Sequence, residues 1–359
     1  MKKIKLAFVG LGRVFNHYIG LILSDSSLCA RFEISSLVDS NNTLFNEYLS
    51  TNPFLSVNCF TSFEDLIEND IPDIVVICTP SGTHYEISKF FLSRRIAVLC
   101  EKPATMKLSE ADELLKLADA NATKYWVAFQ NRYNPPIVYA KKFIDSGMLG
   151  RFLTGSLVVR WSRDSQYYSS AEWRGTFKND GGVINNQAIH HIDVLTYLLN
   201  PFSQILAIRN NSYHKYLEVE DTMVGAMRHG PSGNFLTFEM TTAIQNHDHE
   251  ASISLFGENG YIQLGGIALN KLIDVHSYEF KLDNKHICYE YSHDVENGYG
   301  YGHRDLLLSL YDDFWGGAES ISRAIHAFHT AQIINSSYNS DFTNLFSISS
   351  TKDNTFLGL

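Results

Sequence analysis

Short apolar runs alternate with helical stretches over the first 130 residues, and this alternation constrains the fold more than any other feature. The apolar runs predict strands at Ile4–Val9, Phe32–Val38, Val57–Phe60, Ile74–Cys78, Ala97–Cys100 and Trp126–Phe129. Helices are predicted between them, for example over His84–Ser93. Ile74–Cys78 is apolar at every position, which is typical of a central parallel strand. Residues 1–130 are therefore predicted to form one domain with a doubly wound parallel sheet.

The pattern changes after residue 150, where strands follow one another with few helices between them. These strands are predicted at Phe152–Arg160, Ile205–Ser212, Thr222–Met227, Asn234–Thr242, Ala251–Phe256 and Tyr261–Gly265. One long helix follows Gly181-Gly182, and helices return at about 304–340. Residues 131–359 are thus predicted to form an α+β domain with a large open, mostly antiparallel sheet. The free face of that sheet is where the subunits of a homo-oligomer would pack, and the helices at about 304–340 are expected to pack back on the first domain.

Charge and cysteine usage exclude several classes of protein. The formal net charge of −10 disfavours nucleic acid and anionic membranes as partners. The five cysteines are scattered, and none has the spacing of a metal site. No apolar run is long enough to span a membrane, and the run after the basic N-terminus is too short for a signal peptide. We therefore expect a cytoplasmic protein with reduced thiols.

A glycine turn follows the first predicted strand and opens a helix. Gly10 permits the tight turn, and Gly12 lets the backbone approach a pyrophosphate at the helix N-terminus formed by Arg13 and Val14. Phe15 stands where the usual fingerprint has its third glycine. Asp39 ends the second strand, where an acid accepts from the adenosine ribose and repels a 2′-phosphate. The pattern favours NAD over NADP.

Two further motifs end neighbouring strands of the predicted parallel sheet. Thr79-Pro80 follows the central strand, with His84 four residues after Pro80, and Glu101-Lys102-Pro103 follows the next one. Ligands bind at the carboxyl ends of such strands. Lys102 can therefore reach the region of the nicotinamide and the substrate, although a single lysine at a strand end is more often a solvated charge.

The helix after Gly181-Gly182 carries a polar stripe. In a regular α-helix, Asn186, His190 and Asp193 lie at i, i+4 and i+7, on one face. Such a trio can hold His190 in a fixed tautomer beside a substrate. The alternative is a surface histidine with two solvated neighbours.

Arginines and aromatic residues are interleaved early in the second domain. Arg160, Arg163 and Arg174 occur with Tyr167 and Trp173. Guanidinium groups suit phosphate and carboxylate recognition, although each arginine alone is more often an ordinary exposed residue. His247 and His249 also lie close together, but four adjacent polar residues at 247–250 are more typical of a turn, so we expect no metal.

Four motifs, in this order along the chain, resemble those of the Gfo/Idh/MocA (glucose–fructose oxidoreductase / inositol dehydrogenase) family. They are Gly10-x-Gly12-Arg13-Val14, Thr79-Pro80, Glu101-Lys102-Pro103 and Gly181-Gly182…His190-x-x-Asp193. The resemblance runs from Ile4 to about Ser340. It implies a Rossmann domain, an open-sheet domain that pairs subunits into dimers or tetramers, and hydride exchange between NAD and a sugar or polyol carbinol. It assigns to the cofactor Gly10, Gly12, Arg13, Val14, Asp39, Thr79, Pro80, His84, Glu101 and Lys102.

One branch of that family is more similar than the rest. Asn186-Gln187-Ala188-x-His190, preceded by Tyr167-Tyr168…Trp173-Arg174-Gly175, resembles the nucleotide-sugar 3-dehydrogenases, above all those of UDP-N-acetylglucosaminuronate (UDP-GlcNAcA). Those enzymes make a 3-keto sugar for surface polysaccharides such as O-antigen, and some recycle NADH with 2-oxoglutarate. Many family members have Asp where this chain has Asn186. Because an amide cannot take up a proton, we expect no carboxylate relay there, although Asn186 can still orient His190.

The resemblance implies roles for the remaining candidates. Oxidation of a secondary alcohol needs a base, for which Lys102 and His190 are the candidates, supported by Asn186 and Asp193. A histidine starts closer to neutrality, so His190 is the preferred base and Lys102 the group that orients the hydroxyl. The UDP-sugar is expected to contact Arg160, Arg163, Tyr167, Trp173, Arg174, Asn186, Gln187, His190 and His303. The alternatives are UDP-N-acetylglucosamine or an inositol-type polyol as substrate, or a dinucleotide-binding sensor without catalysis.

Overall fold

The computed structural model describes residues 2–51, 56–295, 298–340, 346–348, 353 and 357–358. The chain divides into two compact units. The first comprises residues 1–105, 110–128 and 304–325, and the second comprises residues 106–109, 129–303 and 326–359. No helix in these described ranges combines the length and the apolarity needed to cross a membrane.

The first unit contains a six-stranded parallel sheet. Its strands are β1 Ile4–Val9, β2 Phe32–Val38, β3 Asn58–Phe60, β4 Ile74–Ile77, β5 Ala97–Cys100 and β6 Tyr125–Val127. The order β3-β2-β1-β4-β5-β6, with every pairing parallel, confirms the predicted doubly wound sheet. β4 and β5 are buried along their whole length, because helices cover both faces of such a sheet. The helices of this part of the chain are α1 Arg13–Ser24, α2 Ser26–Cys29, α3 Thr43–Thr51, α4 Phe63–Asn69, α5 His84–Ser93 and α6 Leu108–Ala120.

The second unit contains a larger, mostly antiparallel sheet, as predicted. Its strands are β7 Phe152–Arg160, β8 Phe202–Asn210, β9 Thr222–His229, β10 Phe235–Thr241, β11 Glu250–Gly257, β12 Gly260–Gly265, β13 Lys271–Ser277 and β14 Phe346–Ser347. The order is β13-β12-β11-β7-β10-β9-β8-β14, and β7 pairs with β10 in parallel. Along β7, Leu157 and Val159 are buried while Val158 and Arg160 are partly exposed. One face therefore forms a core and the other stays open.

Six α-helices follow residue 130 within the described ranges. They are α7 Pro135–Asp145, α8 Ser165–Ser169, α9 Ile189–Leu199, α10 Asn284–Tyr291, α11 Gly302–Phe314 and α12 Ala324–Asn339. The helices predicted at about 304–340 are α11 and α12. Gly316, with φ of +80°, and the N–H of Gly317, which donates to the Asp312 carbonyl at 2.8 Å, end α11.

Residues 304–325 complete the outer edge of the first unit's sheet. The Val127 N–H donates to the Ser322 carbonyl at 2.9 Å, and Trp126 pairs with Arg323 in an isolated bridge. The buried Trp126 indole N–H donates to the Asp313 carboxylate at 2.8 Å. The hydrogen bonds of the edge strand β6 are therefore completed by a segment that lies far along the chain.

Candidate active site

The glycine turn after β1 has the geometry that a dinucleotide needs. Gly10 has φ of +91°, and a Cβ there would lie 2.8 Å from Cγ2 of Thr79 and 2.9 Å from the Cys78 backbone, so only glycine fits. A Cβ on Gly12 would meet no atom within 4 Å, and no side chain caps α1. The first N–H groups of α1 therefore suit a pyrophosphate.

Asp39 joins the end of β2 to this turn. Its Oδ2 accepts from the Leu11 N–H at 2.9 Å, and its Oδ1 accepts from the Asn41 N–H at 2.9 Å. Each oxygen keeps a lone pair for a ribose hydroxyl, so the residue fits NAD. Phe15 replaces the third glycine with an aromatic contact, since its buried ring lies 5.4 Å from that of Phe8 and 5.0 Å from that of Tyr48.

His84 has a different role from the predicted cofactor contact. It is 1% exposed, its Nδ1 lies 2.7 Å from the Pro103 carbonyl oxygen and its Nε2 lies 2.8 Å from the Thr79 carbonyl oxygen. Burial lowers the pKa of the ring. Both ring nitrogens face backbone carbonyls at the ends of β4 and β5, and a neutral ring donates to one of them. Neither nitrogen is therefore left for the dinucleotide.

Glu101 has a structural role in the first unit, and its predicted contact with the cofactor stays a prediction. Its carboxylate accepts from the Tyr18 hydroxyl at 2.9 Å and from the Lys102 N–H at 3.3 Å, and it is 8% exposed. Burial raises the pKa of this carboxyl. Lys102 has intermediate exposure and follows β5, at the same sheet edge as Gly10, Thr79 and Pro80. The structure thus brings the predicted cofactor motifs of the first unit to one edge.

The segment after Gly181-Gly182 is not one regular α-helix. Val183–Gln187 forms a π-helical turn, and α9 starts only at Ile189. Asn186 therefore does not share a regular i, i+4 stripe with His190, which corrects that prediction. The Asn186 amide donates to the Asp180 carboxylate. His190 has intermediate exposure, with its ring 6.1 Å from that of Phe129.

A buried carboxyl fixes the start of this segment. A Cβ on Gly182 would collide with the Glu220 carboxyl, so the position requires glycine. The Gly182 N–H donates to the Tyr338 hydroxyl at 2.9 Å, and that hydroxyl donates to Oε1 of Glu220 at 2.9 Å. The Val183 N–H donates to the Glu220 carbonyl at 3.1 Å. Burial raises the pKa of Glu220 to about 7.

Asp193 is held in a buried ion pair, and its predicted catalytic role stays a prediction. It is fully buried, and its carboxylate accepts from Nε and Nη2 of Arg132 at 2.7 and 2.5 Å and from the Thr330 hydroxyl at 3.0 Å. Arg132 is 1% exposed and also donates to the His326 carbonyl at 2.9 Å. The sequence did not single out Arg132 as a partner because it lies 61 residues from Asp193.

The predicted cluster of arginines and aromatic residues is largely assembled. The Arg163 Nε donates to Oε1 of Gln187 at 3.0 Å, and the Gln187 amide donates to the Tyr167 hydroxyl at 2.7 Å. The Arg174 guanidinium carbon lies 4.1 Å from the Tyr167 ring centroid and 4.6 Å from that of Trp173. The Arg174 Nε is buried, and no described residue accepts its proton. Asp248, which the sequence did not single out as a partner, accepts from Arg163 at 3.0 Å.

Arg160 lies outside this cluster, which corrects its assignment to the substrate. Its Nε and Nη2 donate to Glu239 at 2.7 and 2.5 Å, and its Nη1 donates to Glu250 at 2.7 Å. Its donors are thus occupied by carboxylates on β10 and β11. His303 is 2% exposed beside Tyr299, and its contact with substrate stays a prediction.

An open pocket of about 700 Å³ adjoins the arginine–aromatic cluster within the second unit. It is lined by α8, residues 174–176 and residues 216–218. Arg174 belongs to both the pocket and the cluster. Among the residues that the structure describes, no group of three or more His, Cys, Asp or Glu side chains is placed to hold a metal ion.

Comparisons with solved structures cover almost the whole chain. The WlbA dehydrogenase from Bordetella pertussis, in complex with NADH and UDP-GlcNAcA, has a TM-score of 0.88 and 26% identity over 96% of this chain and 98% of that one. The Chromobacterium violaceum WlbA dehydrogenase, in the same kind of complex, has a TM-score of 0.88 and 25% identity over 97% of this chain and 96% of that one.

Curated relatives align over shorter stretches. Inositol 2-dehydrogenase from Rhizobium meliloti is 32% identical over 127 residues, which is 35% of this chain and 36% of that protein. Alignments to the first three curated relatives span from 36% to 66% of their lengths.

Two models of one family match consecutive parts of the chain. The model described as an oxidoreductase family with an NAD-binding Rossmann fold matches residues 4–129, and the family's C-terminal domain model matches residues 137–263. The first match contains the glycine turn and Lys102, and the second contains His190 and the arginine–aromatic cluster. The chain belongs to the Gfo/Idh/MocA family of NAD-binding oxidoreductases.

Proposed function

We propose that this protein oxidises the 3-hydroxyl of UDP-GlcNAcA to the 3-keto sugar with NAD, for the synthesis of a surface polysaccharide. The likeness to the two WlbA dehydrogenases carries the proposal, since each spans at least 96% of this chain and each was solved with NADH and UDP-GlcNAcA. The TM-score of 0.88 to the WlbA dehydrogenases exceeds the 0.78 to levoglucosan dehydrogenase, whose sugar ligand, levoglucosan, carries no nucleotide.

The arginine–aromatic cluster supports an anionic substrate. Arg163 and Arg174 lie over the Tyr167 ring, at 5.5 and 4.1 Å from its centroid. The buried Arg174 Nε has no acceptor among the described residues, and a guanidinium fork suits a phosphate or carboxylate oxygen. A substrate with both a pyrophosphate and a 6-carboxylate would use two such groups.

The proposed chemistry divides the work between two side chains. NAD supplies the hydride acceptor. His190 takes the proton of the 3-hydroxyl, and Lys102 donates a hydrogen bond that orients the hydroxyl oxygen. Gly10, Gly12 and Asp39 hold the dinucleotide, and 2-oxoglutarate is a candidate acceptor for recycling NADH.

A panel of substrates tests the proposal. The purified protein with NAD is offered UDP-GlcNAcA, UDP-N-acetylglucosamine and myo-inositol, and reduced nicotinamide is followed by absorbance. We expect the highest kcat/KM with UDP-GlcNAcA. A 2-oxoglutarate chase, with product analysis, reveals turnover that tightly held NADH would hide.

The same panel decides among the alternatives. The alignment to inositol 2-dehydrogenase favours a polyol, and a preference for myo-inositol would replace the UDP-sugar proposal. Equal kcat/KM for the two UDP-sugars would show that the protein does not recognise the 6-carboxylate. Reduction of NAD by none of them, with or without the chase, would contradict the proposed activity.

A further inference from the structure

We propose that Asp180 is a positioning residue that holds Asn186 and the Arg174–Gly175 turn in one fixed arrangement. Asp180 is 3% exposed, and its two carboxylate oxygens serve different segments. Oδ2 accepts from the Gly175 N–H at 2.6 Å, and Oδ1 accepts from the Asn186 side-chain amide. Asp180 thus links the turn that carries Arg174 to the π-helical turn that precedes His190.

A second connection joins the same two segments. Gln187, next to Asn186, donates to the Tyr167 hydroxyl at 2.7 Å, and Arg174 stacks on that tyrosine ring. The contacts form a closed ring from Arg174 through Tyr167 and Gln187 to Asn186, and back through Asp180. The two segments are therefore joined at two places, and a displacement of one segment relative to the other breaks at least one of these contacts.

The backbone around Asp180 is fixed independently of its side chain. The Thr176 carbonyl accepts from the N–H groups of Asp180 at 3.1 Å and Gly181 at 3.0 Å. The Asn185 amide donates to the Asp180 carbonyl at 3.0 Å. A substitution of the carboxylate therefore removes the link to Gly175 and Asn186 while these backbone contacts still hold residue 180 in place.

The link requires two acceptors on one side chain. A carboxylate presents an oxygen to each donor, whereas an amide presents one oxygen and one NH₂. With the Asn186 amide in the orientation that the structure shows, Asp180→Asn therefore keeps one of the two hydrogen bonds and places two donors against each other at the other. Since the variant loses a charge-assisted hydrogen bond, we expect kcat/KM to fall by about 10- to 100-fold. Asn186→Asp has the complementary defect, because it places two carboxylates in contact.

Exchange of the two groups restores the pattern. In the double variant Asp180→Asn/Asn186→Asp, the amide oxygen at position 180 accepts from Gly175 and its NH₂ donates to the carboxylate at position 186. We expect kcat/KM of the double variant to return to within about 3-fold of wild type, whereas independent defects would multiply. Asp283→Asn, at the N-cap of α10, is the matched control, since Asn caps a helix as well as Asp does.

The test combines kinetics with amide hydrogen exchange over residues 173–187. The kinetic part rests on the proposed function and uses the best substrate of the panel. The exchange part needs no substrate: protection should fall in each single variant, return in the double variant and stay unchanged in Asp283→Asn. Two outcomes would overturn the role of Asp180. In the first, the double variant is as impaired as the worse single variant in both measurements. In the second, exchange protection recovers in the double variant but kcat/KM does not, on a substrate that the wild-type protein oxidises. If wild type oxidises no UDP-sugar, the proposed function fails, and exchange alone decides whether Asp180 holds the two segments.

Discussion

His190 and His191 are adjacent in sequence, but their surroundings give them different chemistry. His191 is fully buried, and neither ring nitrogen has a hydrogen-bond partner among the described residues. Burial lowers its pKa to about 3, so it stays neutral at neutral pH. His190 keeps intermediate exposure beside Phe129. Only His190 is therefore suited to exchange a proton with a substrate.

Removing either proposed catalytic side chain should stop the chemical step. We expect His190→Ala and Lys102→Ala each to lower kcat by about 100- to 10,000-fold, the usual contribution of general acid–base groups. NAD affinity, measured by NADH fluorescence, should stay near the wild-type value. His191→Leu is the control: it replaces an unsatisfied buried ring with an apolar group, so kcat should change little. Normal turnover by either alanine variant would refute the role given to that residue.

The arginines provide a matched set for substrate recognition. We expect Arg163→Ala and Arg174→Ala each to raise KM for the UDP-sugar by about 10- to 100-fold, since each removes a charge-assisted contact. Arg160→Ala should leave KM unchanged, because Glu239 and Glu250 already occupy that guanidinium. Initial-rate kinetics measure all three. An unchanged KM in both Arg163→Ala and Arg174→Ala would exclude the cluster from anion binding.

At the scale of elements, α9 depends on a buried ion pair. The Arg132–Asp193 pair joins α9 to the turn before α7, and Thr330 of α12 adds a third contact. Removing one partner of such a pair leaves an uncompensated charge in the core. The pair therefore acts on the stability of the element that carries His190, and on catalysis only through it.

Loss of this carboxylate should cost stability more than activity. We expect Asp193→Ala to lower the free energy of unfolding by about 3–5 kcal/mol, the usual effect of breaking a buried pair. Thr330→Val should lower it by about 0.5–1.5 kcal/mol, as for one hydrogen bond. Urea titration gives both values. If the Asp193→Ala protein is as stable as wild type but its kcat is lost, Asp193 has the catalytic role that the sequence predicted.

The sequence predicts elements better than it predicts contacts. The strands of both sheets, apart from β13 and the two-residue β14, follow from their apolar runs, since burial on one or both faces leaves a periodic pattern. The π-helical turn at Val183–Gln187 was not predicted because its residues also fit an α-helical period. The partners of Asp193 and Glu101, which are Arg132 and Tyr18, were not predicted because they lie 61 and 83 residues away. Local periodicity contains no information on such pairs.

At the scale of the whole molecule, Glu220 makes stability depend on pH. Burial raises its pKa from the ordinary value of 4.5 to about 7, so the folded state binds the proton more tightly than the unfolded state does. Stability from this group is fully present below about pH 4.5, falls as pH rises through pH 7 and is constant above it. Tyr338 and Arg209 are the ionisable groups that act on this carboxyl from α12 and β8.

The variant Glu220→Gln keeps an acceptor for Tyr338 and removes the titration. We expect its free energy of unfolding, relative to wild type, to rise between about pH 5 and pH 8 by up to about 3 kcal/mol. Urea titrations across that range measure the difference. A difference that is the same at both pH values would show that Glu220 does not titrate there.

We propose that the open face of the larger sheet pairs copies of the chain. Ile208 and Val224, on adjacent strands, are 37% and 39% exposed on that face. We expect Val224→Asp to shift the molecular mass in light scattering toward the monomer, because it places a charge in an apolar interface. Ile71→Asp, at an apolar side chain that is 65% exposed in the first unit, is the control. An unchanged mass for Val224→Asp would remove this face from assembly.

The contribution of residues 304–325 to the first unit has a consequence for biosynthesis. Translation delivers β1 to β6 first, yet Asp313 and Ser322, which satisfy Trp126 and Val127, leave the ribosome only after every strand from β7 to β13. The nascent chain must therefore hold an unfinished nucleotide-binding sheet while nearly 200 further residues are synthesised. A chain that ends near residue 300 would retain every cofactor motif and still lack the partners of its last parallel strand. The earliest part of this protein to be made is thus among the last to be completed.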